Sequence, residues 1–269
     1  MNRIPLPDAL KGEWHHLLIL TYTVDIPFFE NALWRNLNNR CRNKVILADG
    51  RRYLEACANY ARSGLPRHLN QQYVAEGVFT NQAAHAKVIL LTHPERGRLL
   101  IGSGNLGMQG YASDGEMFTQ YEYSSDAPQT LNAFLAAREL IEHLISRRYV
   151  STPVERRFQH LLEKTPWLFT RPQSEWWPVR HNLNISFLQQ LQDVVGQRKV
   201  EELWVLSPFY DPQAVALRRL LDVFSPGETT LLVQPGHTSV DNTVLQNVLN
   251  QGDLQVRVQP FRTGCDRQY

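Results

Sequence analysis

Four side chains near the middle of the chain have types and spacing that suit phosphate chemistry. His85 and Lys87 are two residues apart in a segment predicted to start a strand, so alternation places both on one face. Ser103 and Asn105 are likewise two apart in the next predicted strand. An imidazole can attack phosphorus while an ammonium and an amide hold its non-bridging oxygens. Pairing of the two strands therefore predicts a phosphoryl-transfer site.

Glycines separate the polar residues of the second strand. Gly102 and Gly104 carry no side chains, which predicts room for a ligand near the backbone and makes both candidate substrate-binding residues. Gly102 to Gly107 also fits the G-x-G-x-x-G pattern of a dinucleotide-binding turn, which requires a helix that begins inside the motif. The following residues include Gly110 and Gly115 and predict no helix, so we reject the dinucleotide interpretation.

Three arginine pairs lie near predicted element ends. Each pair alone is typical of a solvated helix end, whereas together they would follow a phosphate backbone beside the site. The pairs are Arg51 and Arg52, Arg147 and Arg148, and Arg156 and Arg157. We take the first two pairs as candidate substrate-binding residues.

The composition excludes several classes of protein. Lys and Arg number 28 against 26 for Asp and Glu, so net charge alone does not identify a nucleic-acid binder. No stretch free of charged residues is long and apolar enough to span a bilayer, and the first residues predict no secretory signal. The widely spaced Cys41, Cys57 and Cys265 argue against a disulfide framework or a cysteine zinc site. We expect a cytoplasmic protein that uses no metal or cofactor and binds no membrane.

A strand–helix–strand–turn pattern occurs twice along the chain. Apolar runs near residues 15–24 and 44–48 predict buried strands, and runs near 202–210 and 230–234 predict two more. Three landmarks recur at one offset of 186 residues, which favours an internal duplication over two unrelated α/β units. The landmark pairs are Asp25 and Asp211, Val45 and Leu231, and Gly50 and Gly236.

Between the two copies the pattern changes to helices. Apolar spacing over 131–145 predicts one helix, and a capping box at Thr152–Glu155 predicts the start of another. We predict a first repeat at 1–125, a helical insert at 126–196 and the start of a second repeat at 197–269. The expected fold is α/β, a duplicated repeat of mixed β-sheet flanked by helices.

These residues resemble the signature of a known family. His85-x-Lys87, followed by Gly102-Ser-Gly-Asn-Leu106 and Gly110-Tyr111, is similar to the HKD motif of the phospholipase D superfamily. That superfamily pairs two similar α/β halves with one motif each, so the duplication resembles it as well. Thr92 stands where the family has an aspartate, and the stretch before the Gly-Ser pair is three residues longer than usual.

The resemblance implies a role for each site residue. His85 would attack phosphorus and form a phosphohistidine, which water then resolves. Lys87 and Asn105 would hold the oxyanion, and Ser103 would contribute a hydrogen bond. Glu116 lies where the family often has an acidic residue that orients the histidine, so it would fix the imidazole tautomer. A second histidine, supplied by the other motif, would protonate the leaving oxygen without any metal.

The resemblance gives a reaction and leaves the substrate open. We favour a nuclease-like hydrolase of DNA or RNA, since the glycine-rich segment looks like that of bacterial nuclease-type members. Some of these work beside helicases or in restriction and antiviral systems, which would make a helicase or defence protein a partner. The alternatives are a lipid phosphodiesterase or phosphatidyl transferase, and a non-catalytic nucleic-acid-binding subunit.

The repeat also predicts where a second motif belongs. The offset maps His85 to position 271, two residues past Tyr269. Either the chain is part of a longer protein whose second His-x-Lys begins near 271, or a homodimer brings two copies of His85 to one shared site. We favour the longer protein, because a sheet that ends before its motif strands has an unpaired edge.

Overall fold

The structure is a computed structural model that describes most of the chain. The described residues are 6–37, 40–63, 66–112, 116–172, 174–234, 238–239, 241–249 and 255–260. The chain divides into two compact units, Met1–His181 and Asn182–Tyr269. Each unit contains a β-sheet with helices, so the predicted mixed α/β class is confirmed.

The first unit alternates strands and helices. A π-helical turn (Phe29–Leu33) and a 3₁₀ turn (Trp34–Asn36) extend the short helix α2 (Ile26–Phe28). In chain order its elements are α1 (Leu6–Ala9), β1 (His16–Thr21), α2 (Ile26–Phe28), β2 (Asn43–Asp49), α3 (Gly50–Ser63), β3 (Val74–Val78), β4 (Val88–His93), β5 (Arg96–Gly102), α4 (Met108–Ala112), β6 (Phe118–Ser124), α5 (Leu131–Ser146) and α6 (Thr152–Lys164).

Strand direction decides which loops meet. The sheet has the order β3-β2-β1-β4-β5-β6, with β1, β2 and β3 parallel and the other neighbouring pairs antiparallel. The ends of β1, β2, β3 and β5 therefore lie at the same edge as the beginnings of β4 and β6. We call this the carboxyl edge, and the opposite edge, where β1 and β2 begin, the amino edge. At about 3.3 Å per residue, the length of β1 separates the two edges by about 17 Å.

Apolar side chains cover both faces of this sheet. All residues of β1 and β2 are buried, as expected for parallel strands with helices on both sides. On one face Ile19 and Ile46 share a core with Phe29 and Tyr73. On the other face Leu18 shares a core with residues of α5 and α6. The sheet is thus a packed support that fixes the loops at its edges.

The helices predicted as an insert at 126–196 lie partly on the first sheet. α5 contributes Phe134 to the sheet's core. The boundary between the compact units follows His181, inside the predicted insert. The division at 1–125 and 197–269 stays a prediction.

No turn separates β2 from α3. The sequence predicts a turn at Asp49 and Gly50, whereas α3 begins at Gly50 directly after the strand. Asp49 Oδ1 accepts the backbone N–H groups of Arg51 and Arg52 at 3.2 and 3.3 Å, which caps the helix. A Cβ at position 50 would lie 2.4 Å from the Phe79 ring, so the close approach requires glycine.

α6 begins without the predicted capping box. Ser151 precedes the helix, and Thr152 is its first residue. The backbone N–H and hydroxyl of Ser151 donate to Glu76 of β3 at 2.7 and 2.5 Å. The prediction is wrong because a carboxylate on a neighbouring strand takes the place that Glu155 would have in a capping box.

A short helix follows the glycine-rich segment, where the sequence predicts none. α4 begins at Met108, directly after Gly107. β6 then pairs with β5 in the antiparallel direction. A dinucleotide-binding βαβ unit requires parallel strands. The dinucleotide interpretation therefore stays excluded, on strand direction rather than on the absence of a helix.

The second unit repeats the order of the first three strands. In its described residues β7, β8 and β9 are parallel neighbours, joined by α8 and α9 as β1, β2 and β3 are joined through α2 and α3. Asp25 and Asp211 both accept a helix N–H, at 2.9 Å from Phe28 and 2.7 Å from Val215. The Gly236 landmark lies outside the described residues. The elements are α7 (Phe187–Val195), β7 (Glu202–Leu206), α8 (Val215–Phe224), β8 (Glu228–Val233), α9 (Asn242–Leu249) and β9 (Gln255–Pro260).

Helix length and composition also bear on membrane association. In the part of the chain that the structure describes, no helix combines the length and apolar character needed to cross a bilayer.

Candidate active site

His85 and Lys87 lie side by side at the carboxyl edge. They precede β4, which begins at Val88, so the prediction that they start the strand is wrong. The lysine side chain folds back on the histidine, and Lys87 Nζ lies 2.9 Å from His85 Nδ1 and 3.1 Å from its carbonyl oxygen. Lys87 is only 8% exposed, whereas His85 is exposed. A desolvated cation therefore adjoins an imidazole that a substrate can reach.

Burial and charge together favour a neutral His85. Partial burial lowers the pKa of His85 below its ordinary value, and the Lys87 ammonium lowers that pKa further, while the Asp49 carboxylate opposes both effects. Burial also lowers the pKa of Lys87, and the Glu116 carboxylate opposes that shift. At neutral pH the imidazole is consequently unprotonated and keeps the lone pair that a nucleophile needs.

Tyr22 is a site residue that the sequence did not predict. Its ring centroid lies 4.5 Å from that of His85, and Lys87 Nζ lies 5.5 Å from the Tyr22 ring. Arg52 Nε donates to the Tyr22 hydroxyl at 3.1 Å. Tyr22 thus links a predicted substrate-binding arginine to the histidine. Its position directly after β1 was the available signal, because β1 ends at this edge.

Asp49 is the second residue that the sequence did not assign to the site. Its Oδ1 caps α3, while its Oδ2 accepts the backbone N–H of Ala84 at 3.0 Å. One carboxylate therefore fixes the segment that ends at His85 against the beginning of α3. Because its charge also acts on the pKa of His85, Asp49 both positions the imidazole and tunes it.

Ser103 and Asn105 follow β5 at the same edge. They lie in the loop after the strand, which ends at Gly102, so the prediction that they belong to the strand is wrong. Asn105 Oδ1 accepts the backbone N–H of Thr23 at 3.3 Å, which ties the loop to the end of β1. Ser103 Oγ accepts the backbone N–H of Met117 at 3.1 Å. Both side chains are therefore held by segments at the carboxyl edge.

The glycines of this loop serve packing within the protein. A Cβ on Gly102 would lie 2.2 Å from the Met117 carbonyl oxygen, and one on Gly104 would lie 2.3 Å from that of Gly110. The expected space for a ligand beside these two residues is thus filled by backbone and by the Phe118 ring. The prediction that these glycines leave room for a ligand is therefore wrong. Their small size instead lets the loop fold on itself.

We expect Gly110→Ala to destabilise the protein, because the new Cβ would lie 2.0 Å from the Asn105 carbonyl oxygen. Relief of such an overlap costs about 1–3 kcal/mol or more and displaces Asn105. Gly107→Ala is the matched control, since its Cβ would meet its nearest neighbour, Asp25 Cβ, at an ordinary 3.5 Å. Thermal unfolding of both variants measures the difference. A Gly110→Ala protein as stable as the control would contradict the close packing of this loop.

The charge of Glu116 acts on the pKa of Lys87 and not on that of His85. Glu116 is exposed, directly before the residues that lead into β6, and its charge raises the pKa of Lys87. Among the described residues, the hydrogen bonds of the His85 ring are with Lys87. The predicted role of Glu116 in fixing the histidine tautomer stays a prediction, and the carboxylate that acts on His85 is that of Asp49.

The arginine pairs separate in space. Arg51 and Arg52 lie in the first turn of α3 at the carboxyl edge, whereas Arg147 and Arg148 lie exposed in the turn after α5. Among the described residues no hydrogen bond or ion pair joins either of the latter to His85 or Lys87. Their assignment to the same site stays a prediction.

Arg156 and Arg157 do not lie beside the site as their grouping predicted. Asn43 Nδ2, at the start of β2, donates to the Arg157 carbonyl oxygen at 2.7 Å, which places that part of α6 at the amino edge. Thr92, at the family's aspartate position, is fully buried near the end of β4, also at the amino edge. Its carbonyl oxygen accepts the N–H of His15 at 2.9 Å.

A cavity opens beside Tyr22, whose ring contacts that of His85. Its volume is about 320 Å³, and its charged lining residues are Arg51, Arg52, Asp49 and Glu55. The two arginines add positive charge at the N-terminus of α3, where anions are favoured. Within the described residues no group of three or more His, Cys, Asp and Glu side chains is arranged to hold a metal ion.

Comparisons with known proteins give little beyond the structure itself. No protein-family model matches the chain, and no curated protein sequence matches it. A solved structure of polyphosphate kinase from Porphyromonas gingivalis aligns with 94% of this chain at 13% identity and a TM-score of 0.41. The chain covers 37% of that structure's length. We therefore base the functional proposal on the geometry of the His85 cluster.

Proposed function

We propose that the protein is a phosphodiesterase of the phospholipase D type that acts on nucleic acid through His85. The observation that carries this proposal is the contact of a buried ammonium with an exposed, neutral imidazole at one edge of the sheet. The 2.9 Å approach of Lys87 Nζ to His85 Nδ1 provides a nucleophile and a cation for the same phosphate.

In the proposed reaction a ring nitrogen of His85 attacks phosphorus and the bond to one ester oxygen breaks. The product is a phosphohistidine that still carries the other ester, and the departing oxygen takes a proton from a second acid. Water then attacks phosphorus and releases a phosphomonoester with neutral His85. Lys87 and the Asn105 amide stabilise the charge on the non-bridging oxygens in both steps. The resemblance to the HKD motif assigns the second acid to another histidine.

Nucleic acid is the proposed substrate because Lys87 contacts His85 and two arginines lie in the first turn of the neighbouring helix at the same edge of the sheet. Arg51 and Arg52 line the adjoining cavity, and Arg52 is joined to the site through Tyr22. These side chains suit the phosphates that flank a cleaved bond. A cytoplasmic location and a helicase or defence-system partner belong to the same proposal.

Cleavage assays on single-stranded DNA, duplex DNA, RNA and phospholipid vesicles test the proposal. We expect turnover of at least one nucleic acid, no turnover of the vesicles, and the same rate in EDTA, because Lys87 and Asn105 supply the stabilisation that a metal would. Turnover of phospholipid alone would establish the lipid alternative. Nucleic-acid binding without turnover of any substrate would establish the non-catalytic alternative. Activity lost in EDTA and restored by magnesium would contradict the metal-independent mechanism.

A further inference from the structure

A second concave surface lies at the amino edge, opposite the His85 cluster. A cavity of about 790 Å³ is formed where β1 and β2 begin and α6 crosses them. A neighbouring cavity of about 340 Å³ shares Arg42 and Arg157 with it, so the two cavities adjoin and are treated together as one groove. We call it the basic groove, after the six cations that line it. They are Arg40, Arg42, Lys44, Arg156, Arg157 and Lys164.

The charge of this groove differs from that of the whole chain. The protein has 28 Lys and Arg against 26 Asp and Glu, yet no carboxylate among the described residues lines either cavity. Nearby acids are few: Glu13 pairs with Arg40 at 3.3 Å, and Glu163 lies 3.9 Å from His160. Clustered cations without matching acids concentrate positive potential, which favours a polyanionic ligand.

His16 supplies an independent indication of a ligand. Its side chain lines the groove but is 2% exposed, and its Nδ1 lies 2.9 Å from Asn43 Nδ2. Asn43 Nδ2 also donates to the Arg157 carbonyl oxygen, and Asn43 Oδ1 accepts from the Arg157 guanidinium, which fixes the orientation of the amide. The amide nitrogen is therefore the donor to His16 Nδ1.

The second nitrogen of His16 is a buried donor without an acceptor. Burial first, and then the charges of His160, His15 and Lys164, lower the pKa of His16 to about 4, so its ring is neutral at neutral pH. Because Nδ1 accepts a hydrogen bond, the proton lies on Nε2, which has no hydrogen-bond partner among the described residues. Buried donors are nearly always satisfied in proteins. An anionic oxygen in the groove would satisfy this one.

The length of the cationic surface indicates more than one phosphate. Arg156, His160 and Lys164 are spaced four residues apart, so they share one face of α6 and extend over about 12 Å. Arg42 adds positive charge from the start of β2. A single phosphate occupies only a fraction of this length, whereas consecutive phosphates of one strand extend along it.

We propose that the basic groove binds the sugar–phosphate backbone of a nucleic acid, away from the bond that His85 attacks. This inference deepens the proposed function, and it rests on the nucleic-acid part of that function. The two edges are separated by the length of β1, about 17 Å. A bound strand that occupies both sites therefore has several nucleotides between the groove and the scissile phosphate.

The test measures binding of a fluorescein-labelled 20-nucleotide single strand by anisotropy, in a His85→Ala background that prevents turnover. The groove variant combines Arg42→Gln, Arg156→Gln and Lys164→Gln, three exposed positions whose loss spares the core. We expect its Kd to rise about tenfold or more, and the slope of log K against log salt to fall by about 2, at about 0.7 per lost phosphate contact.

A matched control removes the same charge elsewhere. It combines Arg171→Gln, Arg180→Gln and Lys199→Gln, which are also exposed and lie outside the groove lining. We expect the control to bind within about twofold of the parent protein, since none of its three residues lines the groove. Equal Kd values and salt slopes in the two triple variants would overturn the proposal.

Two further arms identify the ligand. Displacement of the strand by micromolar inorganic phosphate would make the groove a small-anion site and overturn the proposal. Vesicles with anionic lipid that bind through the groove residues, in place of the strand, would overturn it as well.

Steady-state kinetics separate this inference from the proposed function. With His85 present, the groove variant should keep the parent kcat/KM on bis(p-nitrophenyl) phosphate, whereas its KM for the 20-nucleotide strand should rise. Loss of binding in the groove variant of a protein that cleaves nothing would support the groove and reject the nuclease.

Discussion

Replacement of His85 by alanine is expected to abolish phosphodiester cleavage and leave the fold intact. Loss of a nucleophile removes the covalent route, so kcat/KM should fall by about 10⁴-fold or more. The side chain is exposed, and substitution at an exposed position changes stability by about 0.5 kcal/mol or less. Initial rates on the nucleic acid cleaved by the parent protein, together with thermal unfolding, measure both effects.

A matched control and a trapping experiment make this expectation specific. His93→Ala removes an imidazole from the end of β4, at the amino edge, and should retain the parent rate. Mass spectrometry of the parent protein quenched during turnover should find a nucleotidyl adduct on the peptide that contains His85, and none in His85→Ala. Turnover by His85→Ala within tenfold of the parent would remove His85 from the role of nucleophile.

Local sequence patterns indicated which residues form the candidate site. His85 and Lys87 were identified from their spacing together with the glycine-rich segment that carries Ser103 and Asn105. These predictions depend on short segments, so they survive an error in element bounds. The two residues precede β4 instead of starting it, yet Lys87 Nζ still contacts the His85 ring. The parallel β–α–β repeat was likewise readable, because strand spacing and helix-capping aspartates are local signals.

Local sequence patterns could not identify residues that reach the candidate site only through the order of the strands in the sheet. Tyr22 follows β1 and Asp49 ends β2, and they meet His85 only because β4 joins β1 in the antiparallel direction. Arg157 was grouped with the site by its distance along the chain, but the packing of α6 against Asn43 places it at the amino edge. β6 was missed because exposed polar residues interrupt its apolar pattern, as is common for an edge strand.

Lys87 is expected to combine a large effect on activity with little effect on stability. Lys87→Met keeps the length of the side chain and removes its charge. Without the cation that stabilises the oxyanion, kcat should fall by about 10²- to 10³-fold. The lysine is 8% exposed and its ammonium is desolvated, which is unfavourable in the folded state, so an apolar replacement should leave the melting temperature unchanged or raise it. Lys199→Met, at an exposed position, is the control and should change neither quantity.

The same substitution reports on His85 without any substrate. Burial is the first cause of the lowered pKa of His85 and the Lys87 ammonium is the second, so removal of the charge should raise that pKa part of the way toward 6.5. Protonation then begins at higher pH, and the nucleophilic neutral form is lost earlier as the pH falls. An NMR titration of the His85 ring in the parent and Lys87→Met proteins measures the shift. If the lysine had only a structural role, Lys87→Met would lower the melting temperature and leave the His85 titration unaltered. An unchanged or lower pKa together with a parent-like rate would reject the pairing of this ammonium with the histidine.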